Sequence, residues 1–382
     1  MSFDTTSSNT GLKNGACVGI ETKLEKSLLW TACRHDILEI VLQAVVTTSL
    51  GPSRGPDIQI FKRFQSNWSN IDTTKFDTIK VDTEMSAILS DCQQDRIAFC
   101  LNQLSMFQPR DDYLELLTLV IIFLDGTPPK GCSFRAPAGL HRARWMAKAI
   151  YSLKIWMFKA QFKLTKREQK GISDICMFTV KIYVMYWYQA TSAICAPRLD
   201  LTMLQDLWAL KGTHDAIASV ALRKMLGHLW YLSEELIAFA FFDDQVSLST
   251  KRKMAAAINK PDTHQEELPK KRITINQKDI PEKCLDMFVS SKTKRFFDIT
   301  GLPSEFLLKS VDVWPEERSF NACNTFVKSL KVVNDLAERG VALIEEYNKI
   351  LTNNETQKQY LLLAVKQHHQ RYPDANKKTL LG

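Results

Sequence analysis

From Met85 to Phe242 the apolar residues recur three and four positions apart, segment after segment, and do not alternate over the length of a strand. That spacing puts one apolar stripe on a helix and gives a sheet no inward face to bury. The segments are Met85–Phe107, Asp111–Leu124, Ala138–Lys163, Arg167–Ala193, Leu199–Leu210 and His214–Phe242. Thr165 followed by Glu168 has the form of a capping box, in which each end satisfies the other's backbone donor. A chain of this pattern folds as a mainly helical protein.

The first fifty residues read differently. Phe3 to Gly11 has the Ser, Thr and Asn content of a loop. Lys13 to Lys26 has helical spacing, Ser27 to Cys33 is a short apolar run of strand length, and Arg34 to Thr47 is a helix with one apolar stripe. This order is half of an α/β unit. The run Gly51-Pro52-Ser53-Arg54-Gly55-Pro56 then breaks the chain. Further on, 255–280 is polar, basic and interrupted by Pro261 and Pro269, the composition of a flexible segment. Helical spacing returns from Ser319 to about Leu351 and from Glu355 to His369. The expected division is therefore an α/β unit over 1–50, a helical block over 51–315, and C-terminal helices over 316–382.

Charge adds one feature. Of a formal net charge of +8, the stretch Lys251–Arg295 supplies most, with twelve Lys and Arg against six Asp and Glu. It is either a solvated linker or a surface for an acidic partner such as nucleic acid. The nine cysteines form no CxxC pair, which fits reduced thiols better than a disulfide framework. The longest apolar run, Leu116–Leu124, is too short to span a bilayer, so no membrane partner is expected. Leu268-Pro269-Lys270-Lys271-Arg272 has the form of a nuclear-localisation patch, and a nuclear place is expected, otherwise a cytoplasmic one.

No GxGxxG, GxxxxGK[ST], GxSxG or HExxH occurs, which leaves the common kinase, dehydrogenase and hydrolase chemistries without local support. Three other groups stand out. Asp4 follows an apolar position and precedes small polar residues and a helix, a setting that suits a hard divalent cation or a turn cap. Glu338 and Arg339 lie beside an apolar helical face near the C-terminus, where a surface ion pair is the plain alternative. Cys33 and His35 end the short strand and either bind metal or pack.

Together these residues resemble the hAT-like cut-and-paste transposases. In that family an RNase H-like fold is interrupted by a large helical insertion. Its second catalytic Asp sits in a polar loop, a Cys-His motif opens the next helix, and the last catalytic Glu follows in a late helix. The resemblance places Asp4 as the second Asp, Glu338 as the final Glu, and Cys33 and His35 as the motif. It implies a fold that is mainly α, with a large helical insertion within an incomplete α/β RNase H-like remnant. The Cys-His spacing is one residue shorter than in the family, and Ala337 and Gly340 stand where Ser and Phe are usual. The family chemistry uses carboxylates to hold two Mg²⁺ or Mn²⁺ ions about 4 Å apart for phosphodiester cleavage. Only three residues precede Asp4, so the first catalytic Asp is expected outside this chain, and the chain is expected to be inactive alone.

DNA is the expected partner. Candidate phosphate contacts are Arg142, Arg144 and Lys148 on one helical stretch, with Lys154 and Lys159 beyond them, and Lys270, Lys271 and Arg272. Each has a plain alternative as a solvated basic face. Glu234 or Glu235 is an alternative third carboxylate. A competing reading of the whole chain is a non-enzymatic helical module that binds DNA or forms a homo-oligomer.

Overall fold

The computed structural model describes residues 1–11, 13–52, 58–137, 146–261 and 270–333, with single positions between 354 and 371. In chain order the elements are β1 (Ser2–Phe3), α1 (Ser7–Thr10), α2 (Ala16–Leu24), β2 (Thr31–Ala32), α3 (Arg34–Leu50), α4 (Gln59–Asn67), α5 (Thr83–Leu89), α6 (Gln93–Ser105) and α7 (Asp111–Phe123). There follow α8 (Ala147–Met157), α9 (Lys166–Phe178), α10 (Val184–Gln189), α11 (Ala196–Leu226), α12 (Leu248–Ile258), α13 (Arg295–Thr300) and α14 (Arg318–Ser329). The fold is mainly helical, and among the described residues β1 and β2 are its only strands. No described helix is long and apolar enough to cross a membrane.

The described residues fall into two compact units. One is drawn from Met1–Gly51 and Asp174–Asn334, the other from Pro52–Ser173 and Asp335–Gly382. The break at Gly51–Pro56 thus coincides with a unit boundary, while the block expected over 51–315 is shared between the two.

In the first unit β1 and β2 pair in parallel, Ser2 opposite Thr31 and Phe3 opposite Ala32. A parallel pair needs a crossover, and α1 and α2 supply it. The pair is short because its backbone bonds stop where Cys33 N–H donates to Phe3 O at 2.8 Å. Phe3 is wedged edge-on between Trp30 and Trp230, with ring centroids 5.9 and 5.8 Å away. The apolar stripe read on the following helix is real: Ile37, Leu38, Val41, Leu42 and Val45 of α3 are all buried. At its start Arg34 is buried, donating to Asp200 of α11 at 2.8 Å and to Ala190 O at 3.2 Å. Arg34 N–H also donates to Val332 O at 2.9 Å, which ties the chain beyond α14 to the end of β2.

The helical period is interrupted in several places. Met85–Phe107 divides into α5 and α6 around Ser90–Cys92. Arg167–Ala193 passes from α9 through a π-helical turn, Thr179–Tyr183, into α10. In α11 the backbone leaves helical geometry at His214, with φ −137° and ψ 64°, the junction between Leu199–Leu210 and His214–Phe242. That second segment ends early: Leu236–Phe242 is a tight 3₁₀ turn whose seven residues are all buried, apolar on every side and so without a stripe. The long C-terminal helix expected from Ser319 stops as α14 at Ser329, and Leu330 is extended.

The second unit, taken by itself, confirms the capping box before α9. Glu168 N–H donates to Thr165 Oγ1 at 3.2 Å, and Thr165 N–H donates to Glu168 Oε2 at 2.9 Å. Its core is built on α7 and α8, whose Leu116, Leu117, Val120, Leu153 and Trp156 are buried.

Candidate functional site

Because β1 and β2 run parallel, both strands end at the same edge, and the residues that follow them meet there. Asp4 follows β1. Its Oδ1 accepts from Thr6 N–H at 3.0 Å, Thr6 Oγ1 at 2.6 Å and Asn9 Nδ2 at 2.7 Å. These donors fold the polar loop into a tight turn against α1. The Thr6 hydroxyl, ahead of the other donors, holds the Asp4 carboxyl below its ordinary range.

Asp36 enters the same edge from the first turn of α3. Burial pushes its carboxyl up to about 6, the negative charge of Asp4 adds to the rise, and a hydrogen bond from Cys33 works against it. Its Oδ2 is buried without a hydrogen-bond partner. Two carboxylates in mutual electrostatic reach resist ionising together. The sequence pointed to Cys33 and His35 and not to Asp36 beside them. The available signal was its position in the first turn of a helix that starts directly after a strand.

The motif residues beside it are packed. Cys33 is fully buried at the start of α3. The His35 ring lies stacked on Trp187, centroids 3.9 Å apart and 11° from parallel, with Nε2 3.1 Å from Trp187 O. Tyr231 completes the anchor, donating its hydroxyl to Ala32 O at 2.5 Å and facing the Arg34 guanidinium 5.6 Å from its ring. Neither Arg34, Asp200 nor Tyr231 was legible as a group, since 30 or more residues separate each from the next.

Asp4 and Asp36 offer two carboxylates, with Asp4 Oδ1 already holding three donors. Glu338 lies outside the described residues. Among the described residues no group of three or more His, Cys, Asp or Glu is arranged to hold a metal. The two-ion site of the family chemistry is not assembled from the described residues.

The alternative acids have other work. Glu234 accepts from Lys270 N–H at 2.8 Å. The Glu235 side chain is 1% exposed and pairs with Lys271 Nζ at 2.9 Å, and burial raises its carboxyl despite that cation. Lys271 Nζ also donates to Leu28 O at 2.9 Å. Arg272 donates to Gly227 O at 2.9 Å and lies 5.2 Å from the Trp230 ring. The basic stretch is therefore folded at both described ends: Ala255–Ile258 close α12, and Lys270–Arg272 are held within the first unit.

Of the other predicted DNA contacts, Arg142 and Arg144 lie outside the described residues, and Lys148 is half-buried on α8. Lys154 points inward, 1% exposed, onto Glu115 and onto Arg135 O at 2.7 Å. Lys159 lies over the Trp156 ring, 3.6 Å from its centroid.

No known protein family, no curated protein and no solved structure matches this chain.

Proposed function

We propose that this chain is a transposon-derived, hAT-like protein that associates with DNA and does not cut it unaided. The observation that carries this reading is the parallel β1–β2 pair with Asp4 and Asp36 at one edge. Ligands of α/β sheets bind beyond the carboxyl ends of parallel strands, and carboxylates there are the groups a nuclease of this class would use. Inactivity is supported by what Asp4 already does: its Oδ1 serves the Thr6–Asn9 turn. In the proposed ancestry Asp4 and Glu338 would hold Mg²⁺ or Mn²⁺. Asp36, whose carboxyl feels the charge of Asp4, joins them as a third candidate.

Plasmid nicking in Mg²⁺ or Mn²⁺ is the test. The expected result is supercoiled substrate left intact by the wild type and by Asp4→Ala alike. Nicking by the wild type that vanishes in Asp4→Ala and Asp36→Asn would overturn the proposed inactivity. A second reading, a helical DNA-binding module with no nuclease ancestry, is favoured by the packing of His35 on Trp187 in place of any ligand role. Its signature is DNA binding that is indifferent to Asp4, Asp36 and Glu338.

A further inference from the structure

The second unit carries an open groove of about 860 Å³ between α4 and the segment leading into α9. Three cations line it, Lys62, Arg63 and Lys163, together with the amides of Asn67 and Gln161. Gln161 Nε2 donates to Asp72 O at 3.0 Å and to Lys75 O at 2.5 Å, while its Oε1 accepts from Asp72 N–H at 2.8 Å. Arg63 bridges the two sides, donating to Lys163 O at 2.8 Å and pairing with Glu168 at 2.5 Å.

The chain feeding this groove is strongly cationic. From Lys159 to Lys170 there are five Lys and Arg and one acid, Glu168. Lys62, Lys163, Lys166, Arg167 and Lys170 are exposed. Cations on a solvent-facing wall attract a polyanion by counterion release. The lining aromatic, Phe162, is only 5% exposed and offers no ring face on which a base can stack. Cations without a stacking ring match the phosphodiester backbone of a duplex, a contact that fixes position without reading sequence.

We infer that this groove is a duplex-DNA backbone site, a role assigned to none of its residues by the sequence. The inference rests on the DNA-associated reading above and names the surface responsible. It is sequence-independent, and Lys62 and Lys163 are its contacts, while Arg63 ties the two sides together through Lys163 O and Glu168.

Fluorescence anisotropy with a labelled short duplex of random sequence, titrated across a salt series, is the test. The wild type is expected to bind, with affinity falling steeply as salt rises. Lys62→Glu with Lys163→Glu should weaken binding roughly a hundredfold at low salt and make the salt slope shallower by about two. Glu168→Gln keeps the capping box, since Gln serves there, and removes one negative charge; it should tighten binding roughly threefold. Lys62→Gln with Lys163→Gln, milder for folding, should show the same slope change. Wild-type binding with affinity and slope unchanged in every groove variant would overturn the groove and leave the DNA reading standing. A wild type that binds no duplex at any salt would sink both. Binding confined to the single strand would also overturn the site, because it would require a stacking surface that this groove lacks.

Discussion

Lys271 and Lys163 both belong to basic stretches, and they use their charge in opposite directions. Lys271 is 17% exposed and faces inward, its ammonium shared between Glu235 at 2.9 Å and Leu28 O at 2.9 Å. Lys163 is exposed on the wall of a groove, where its own backbone carbonyl holds Arg63 in place. The first stretch has more charge in sequence, a net +6 over Lys251–Arg295, and looked like the better nucleic-acid surface. The difference is the acids. Glu235 pairs with Lys271 and Asp312 with Arg252, so part of that field is cancelled within the fold. A cation count predicts a partner only after internal ion pairs are subtracted.

The largest effect expected from this contrast is on stability. Lys271→Ala leaves Glu235 buried, with Arg295 no closer than 3.8 Å. Removing one member of a buried pair strands the other charge, and the cost should be about 3 kcal/mol in urea unfolding. DNA affinity should be unchanged once folding is restored by Lys271→Met with Glu235→Gln, which removes both charges. Lost affinity in that folded double variant would break the contrast and return Lys271 to the binding surface.

A smaller effect depends on pH. His228 lies beside the same segment, and its imidazole is lowered to about 4, first by burial and then by the charges of Arg272 and Lys224. Its folded pKa lies below the unfolded value of about 6.5, so the native state holds it neutral while the unfolded chain takes up a proton. The stability from the neutral ring is complete above about pH 6.5 and is lost as pH falls toward 4, by about 2 kcal/mol after allowance for its partial exposure. Thermal melts of His228→Gln across that window should be flatter than wild type. Parallel curves would mean that His228 is not held neutral.

The smallest effect is that of Arg272→Ala. An exposed guanidinium over an indole contributes about 0.5–1 kcal/mol, and the loss of its hydrogen bond to Gly227 O adds little. Duplex affinity should not change. A salt slope reduced by about one in this variant would show that Arg272 touches phosphate after all.

The carboxylate edge offers the same lesson at another scale. Asp4 was legible because a lone acid after an apolar residue, followed by Thr, Ser and Asn, is a local pattern. Its neighbour Asp36 was not, since nothing in residues 33–36 says that β1 and β2 pair in parallel and bring their ends together. Cys33 and His35 were noticed for their ligand chemistry. Burial and the Trp187 ring, 152 residues away from His35, give them a packing role.

What the sequence by itself determined is what neighbours within a few positions control. Helical period, the Thr165–Glu168 cap, the break after Gly51, and the helix–strand–helix order of the first fifty residues all follow from local sterics and from apolar stripes. Tertiary structure decided the rest. It split Met85–Phe107, inserted the π-helical turn, tightened Leu236–Phe242 into 3₁₀ geometry, and sorted cations that are paired from cations that face solvent. Those outcomes depend on partners far along the chain, such as Glu235 for Lys271 and Asp200 for Arg34, and the free energy of a charge is set by what lies next to it in space.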